Sequence, residues 1–259
     1  MGARTVVADV ADELARRVVR GDYSPGELMP SVRRVAEEFE TNRATAQLIL
    51  GRLETQGFVE AHRGRGFAIR DVREEGGVEV YRRLFRLSMP CPELSSPELA
   101  VAIFGDIVEM ERQIVHDVLA SRTASARPRS AHAALAADID ILESLARQDD
   151  PDLPGLLAAE VALVRRLLSG PGYGMQRAVL NTIGEMIGEV PEAVAAYYVS
   201  GPGAHVLAWR SLAAVWDAGV PPSDIQVTLF EDLFARFHER VVDHFRVLLA
   251  ERVGAFEPA

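Results

Sequence analysis

The sequence predicts a mainly α protein in two parts: three helices closed by a β-hairpin, followed by an all-α antiparallel helical bundle. Three observations carry this. Apolar residues recur at spacings of three and four in three short segments before residue 56, and then alternate as in a strand. One clear break in composition, rich in glycine and charge, falls at residues 71–78. Beyond it every periodic segment is helical, and Pro/Gly breaks separate most of them. With 259 residues, 48% of them hydrophobic, the chain is long enough for two domains, each with its own core.

In order, Val7, Val10, Leu14 and Val18 mark one face of a first helix over residues 6–20, and Gly21 follows as its cap. After a turn at residues 22–26, Ser31 caps a second helix that buries Val32, Val35, Ala36 and Phe39 and ends near Glu40. Thr41 or Asn42 caps a third, with Ala46, Ile49, Leu50 and Leu53 inward and Gly57 stopping it. Residues 58–61 alternate like a strand, residues 62–66 turn, and residues 67–69 return. Helix, helix, helix, hairpin is the order of a winged helix-turn-helix. Residues 1–73 are assigned to that domain, 74–95 to a linker and a connecting helix, and 96–259 to an all-helical domain. Its helices are expected from Pro97 to about Arg122 and over residues 131–147, 153–169, 175–190, 191–199, 205–218 and 223–253.

The net charge of −10 weighs at first against a nucleic-acid partner, because phosphate binding needs cations. The distribution reverses that: residues 1–73 carry 12 arginines against 11 acids, and the rest 16 against 27. All 28 basic residues are arginine. No stretch approaches the roughly 20 uncharged apolar residues of a membrane span, and the first five residues are too short for a signal peptide, so a cytoplasmic protein is expected. Cys91, the single cysteine, excludes an intrachain disulfide and a thiolate zinc cluster. No Ser/His/Asp ordering, Cys/His pair, phosphate loop or zinc-protease motif marks an enzyme.

The start of the third helix places Asn42, Arg43, Thr45 and Gln47 where a recognition helix meets base edges. Arg43 has the planar fork for two hydrogen bonds to a guanine edge. Thr45 and the free amides of the helix start suit phosphate oxygens. Arg63 and Arg65 flank Gly64 in the hairpin turn, cations suited to a minor groove. Alone, an arginine pair in a turn is ordinary solvated surface; helix order, spacing and wing together point to double-stranded DNA.

Met29-Pro30-Ser31-Val32-Arg33, Asn42-Arg43-Ala44-Thr45-Ala46, Arg52-Leu53-Glu54-Thr55-Gln56-Gly57 and Arg63-Gly64-Arg65-Gly66 stand in the order and at the spacing of the GntR family of bacterial regulators, which residues 5–70 resemble. The resemblance implies that Arg33, Arg43, Thr45 and Gly64 meet operator DNA, and that a homodimer, by default a repressor, binds a short pseudo-palindrome. Asn42, Ala44 and Gln47 depart from the family's Ser/Thr, Thr and Arg, so the operator is not that of better-known members.

Beyond the linker, residues 159–163, 181–184 and 197–198 resemble the central helices of the family's FadR-like branch, which implies an effector-binding and dimerisation domain. Many such domains hold a divalent metal through an Asp and three His. Here Glu160 stands near the Asp, Val164 and Trp209 fill two histidine positions, and the third falls near Asp232. A Val and a Trp are no ligands. No metal or other cofactor is expected, and the resemblance implies a small-molecule effector such as a fatty acyl-CoA or an organic acid. His238 and His244, six apart on one helix, face different ways. Trp209, Trp216, Phe230, Phe234 and Phe237 are read as plain core. Tyr197 and Tyr198 are candidates for a pocket rim without an assigned role. The rival reading is a winged-helix protein-interaction module without ligand response.

Overall fold

The computed structural model describes residues 3–91, 97–123, 129–217 and 223–255. They fall into two units, Met1–Ala100 and Val101–Ala259.

The first unit contains α1 (Ala3–Arg20), α2 (Val32–Glu38), α3 (Arg43–Thr55), β1 (Val59–His62), β2 (Gly66–Ile69) and α4 (Val78–Leu87). α1 and α2 both pack on α3. Leu14, Val35, Ile49, Leu50, Leu53 and Phe58 are fully enclosed; each such side chain stabilises the fold by about 1.5–3 kcal/mol over its exposed state. The caps set the helix starts. Ser31 Oγ accepts from the Arg34 amide at 3.3 Å, and Asn42 Oδ1 accepts from the Thr45 amide at 2.8 Å, which makes Asn42 rather than Thr41 the cap of α3.

β1 and β2 pair antiparallel with Val59 opposite Ile69 and His62 opposite Gly66. Residues 26–29 lie along β2: the Gly26 and Met29 amides donate to the Ile69 and Phe67 carbonyls, both at 2.8 Å. The expected alternation over residues 58–61 does not hold. Phe58 and Val59 are both buried and Glu60, Ala61 and His62 are all exposed, whereas on the paired strand Phe67 and Ile69 are buried on either side of the half-buried Ala68. At the end of α3, Gly57 adopts φ +86°, and a Cβ there would lie 2.6 Å from Val80 Cγ2 of α4. α4 also packs against α1.

The second unit holds most of α5 (Glu98–Thr123), then α6 (Arg129–Ala146), α7 (Leu153–Leu167), α8 (Gly174–Gly188), α9 (Pro191–Tyr197), α10 (Pro202–Asp217) and α11 (Asp224–Gly254). α6 packs against α7 and α10, α7 against α8 and α9, and α9 against α11. Gly184 permits a close α7–α8 approach, since a Cβ there would meet Val161 Cγ2 at 2.8 Å. The Phe104 and Phe245 rings lie 4.3 Å apart between α5 and α11. Ser223 and Gln226 form a capping box that starts α11. The side chain of Trp216 lies outside the described residues. Among the described residues no helix is long and apolar enough to cross a membrane.

Candidate nucleic-acid interface

α3 exposes Asn42, Arg43 and Gln47 at its start, while Thr45 is half-buried. Its inward face, Ala46, Ile49, Leu50 and Leu53, is buried. Asn42 spends its side-chain oxygen on the cap. It therefore orients the first turn, leaving the amides ahead of Thr45 open to an anion. Arg33 stands exposed in the first turn of α2, with its Nε 2.8 Å from Glu37 Oε1. A phosphate would compete with that carboxylate, and an exposed pair of this kind holds its partners weakly.

The wing is tied to α3 at its base, where the Ala61 amide donates to Glu54 Oε1 at 3.2 Å. Its turn needs two left-handed glycines, Gly64 at φ +76° and Gly66 at φ +108°. Arg63 and Arg65 are exposed beside them. Arg34, Arg43, Arg52, Arg63 and Arg65 have no carboxylate partner among the described residues. By contrast Arg17 pairs with Glu38 (2.5 Å) and Glu13 (3.1 Å), and Arg20 with Asp22 (2.9 Å). Paired cations thus brace α1, and unpaired ones sit on α2, α3 and the wing. Arg34 and Arg52 are absent from the sequence-based site; their signal was exposure on the helices that carry Arg33 and Arg43.

Residues 7–69 match the family model described as bacterial regulatory proteins, gntR family. They are a winged helix-turn-helix domain of the GntR type. The GntR-type domain is shared with curated relatives. The chain is 31% identical over 106 residues to the HTH-type transcriptional regulator Mce2R of Mycobacterium tuberculosis, a match spanning 41% of each chain. It is 37% identical over 62 residues to an uncharacterized HTH-type transcriptional regulator of Streptomyces coelicolor, covering 24% of this chain and 23% of that one. The chain thus matches less than half the length of these relatives. Among solved structures, that of Lar, reported to control expression of the Listeria monocytogenes agr system, aligns over 99% of this chain and 98% of its own at 13% identity and a TM-score of 0.44.

The helical unit carries a second concentration of polar groups, all inside it. Glu160 of α7 is buried and accepts three hydrogen bonds: from Tyr198 Oη at 2.7 Å, His205 Nδ1 at 3.0 Å and Trp209 Nε1 at 2.8 Å. His205 Nε2 lies 3.2 Å from the Tyr197 carbonyl. Both ring nitrogens face oxygen acceptors, an arrangement that favours the protonated ring. Burial disfavours that charge, but Glu160 beside it more than compensates and holds His205 above its ordinary value. Burial likewise pushes Glu160 up, and His205 with the other donors more than reverses it. Tyr197 Oη donates to Glu111 Oε1 at 2.6 Å, whereas the buried Oε2 has no partner. Burial and the nearby Glu160 charge push Glu111 up to about 7.

Tyr197 and Tyr198 are therefore buried donors to two carboxylates and do not form a pocket rim. Trp209 is no plain core residue either, since its indole N–H is committed to Glu160. Glu111 and His205 were not singled out from the sequence. An open cleft of about 450 Å³ runs between α5 and α11, lined by Val108, Glu109, Arg112, Ala235 and His238 among others. Burial, with Arg112 nearby, pushes His238 down to about 4, so it is neutral. Phe237 packs between this cleft and the cluster, its ring 5.0 Å from His205 and 5.7 Å from His238.

Proposed function

We propose that the chain is a sequence-specific DNA-binding transcriptional regulator of the GntR type, a repressor in the FadR-like manner. It acts as a homodimer on a pseudo-palindromic operator and releases DNA in response to a small metabolite held by the helical unit. The observation that carries the DNA-binding reading is the set of exposed arginines without carboxylate partners on α2, α3 and the wing of a GntR-type domain. Arg43 reads a base edge, Asn42 and Thr45 orient the first turn, Gln47 lies one turn along, and Arg33, Arg63, Gly64 and Arg65 approach the backbone and the minor groove. The sensing part is supported by the charged cluster around Glu160 and the cleft beside it. Buried charges stabilise a helical bundle less than apolar packing does, which is consistent with a role in recognition. An organic acid or an acyl chain with a polar head suits such a mixed site, with no metal. The effector acts only if it binds one dimer geometry better than the other.

The test is fluorescence anisotropy of the full chain on intergenic DNA flanking its own gene, with excess unrelated competitor, for wild type and Arg43→Ala. Wild type is expected to bind preferentially and to weaken steeply as salt rises. Arg43→Ala is expected to lose about 1–3 kcal/mol of base discrimination. Equal affinity of wild type for target and competitor, there and at other promoters, would replace this reading with a winged-helix protein-interaction module.

A further inference from the structure

We infer that Leu48 is a base-reading residue, one that recognises a thymine methyl group in the major groove next to the base pair read by Arg43. This rests on the DNA-binding reading above and adds to it a defined half-site chemistry, an A·T pair beside a G·C pair.

The outward face of α3 has an unusual composition. At 3.6 residues per turn, the buried residues Ala46, Ile49, Leu50 and Leu53 centre on one side of the helix. Ala44, Leu48, Gly51 and Thr55 lie within about 60° of one another on the opposite side. Arg43 and Gln47 run along one edge of this face and Arg52 along the other. Its middle therefore carries no charge, although it is the face turned most directly away from the core. Leu48 is 63% exposed there.

Gly51 supplies an independent observation. It lies inside a 13-residue helix, where glycine is a poor helix former relative to alanine. A Cβ at Gly51 would meet nothing within 4 Å, so no packing inside the domain calls for a glycine. Thr55 turns its hydroxyl back onto the Gly51 carbonyl at 2.9 Å, which removes a polar group from the face. Small residues at Ala44 and Gly51 let the helix axis lie close to base edges, with Leu48 between them as the projecting group. The apolar feature in the major groove is the thymine methyl, and Gln47 one residue away has the amide that matches an adenine edge. Arg52, on the edge opposite Arg43, matches the phosphates that border the groove.

The experiment starts with selection of duplexes by the full-length protein from a random library, followed by replacement of each selected thymine with deoxyuridine, which lacks only the methyl group. Wild type is expected to lose roughly fourfold in affinity at one thymine position per half-site, the worth of about one buried methyl. Leu48→Ala, an exposed change to a better helix former, is expected to bind the intact site about as weakly as wild type binds the uracil site, and to ignore the uracil. Gly51→Ala is expected to raise the melting temperature while reducing DNA affinity. A selected site at which no thymine methyl matters, or a uracil penalty undiminished in Leu48→Ala, overturns the inference and leaves the regulator reading in place. No enriched sequence at all removes both.

Discussion

Glu111 offers the sharpest test of the helical unit. Its carboxyl is raised from an ordinary 4.5 to about 7 by burial, by the neighbouring Glu160 charge and despite the Tyr197 hydrogen bond. A carboxyl raised on folding stabilises the fold in full below its unfolded value and loses that contribution as pH climbs through its folded value. Between pH 5 and pH 8 the loss integrates to about 2.5 kcal/mol. Glu111→Gln keeps the shape and still accepts from Tyr197, but it cannot ionise. The stability gap between variant and wild type should therefore widen in the variant's favour by about 2.5 kcal/mol across that interval, or roughly 5–10 °C in melting temperature. Reading the gap rather than the wild-type curve is essential. His238, lowered to about 4, gains stability as pH rises through its unfolded value and partly masks the effect. His238 is governed by burial, Arg112, Glu109 and His205, and Glu111 is not among these causes. Both tryptophans of the chain, Trp209 and Trp216, lie in the helical unit, so tryptophan fluorescence, excited where tyrosine does not absorb, reports that unit during thermal melts. A gap that stays constant from pH 5 to pH 8 would refute the argument, because a carboxyl whose ionisation is disfavoured on folding cannot leave stability indifferent to pH.

Two further expectations concern the GntR-type domain. Asn42→Ala should weaken α3 by about 1 kcal/mol, read as faster amide exchange in its first turn, while Asn42→Ser, another good cap, should restore it. Gly57→Ala should destabilise the domain by about 1–3 kcal/mol through its left-handed backbone and the 2.6 Å approach to Val80. Adding Val80→Ala should recover only the part due to the contact, as measured by urea denaturation followed by circular dichroism.

Most of the element order was legible because its signals are local. The expected third helix and the observed Arg43–Thr55 agree, since Asn42 and Gly57 write its ends into the chain. The bundle helices likewise start and stop at Pro/Gly breaks. The buried charges were not legible by motif, because their partners come from distant segments: Glu160 meets Tyr198, His205 and Trp209 only when α7, α9 and α10 assemble. A signal did exist in the helical phase. In α5 the buried positions Phe104, Ile107 and Val108 lead by steps of three and four to Glu111, an acid on an apolar face. Glu160 sits in the same way among Leu156, Leu157, Leu163 and Val164. The strand pattern failed at Glu60–His62 because alternation marks a strand lying on a core; β2 keeps it, with Phe67 and Ile69 buried, and β1 is exposed after Val59.

The acidic chain and its DNA-binding domain are compatible because screening makes charge a local matter. At physiological ionic strength exposed charges are felt over about 8 Å, so the immediate surroundings of a cation matter more than the chain's total of 38 acids against 28 arginines. Within the domain itself the near balance of 12 arginines and 11 acids is also misleading. Arg17 and Arg20 are held by Glu13, Glu38 and Asp22 and contribute to the fold. The acids they occupy are thereby withdrawn from opposition to Arg34, Arg43, Arg52, Arg63 and Arg65. What a phosphate backbone meets is this unpaired remainder, so the pairing pattern, and not the net charge, predicts where the cationic surface lies.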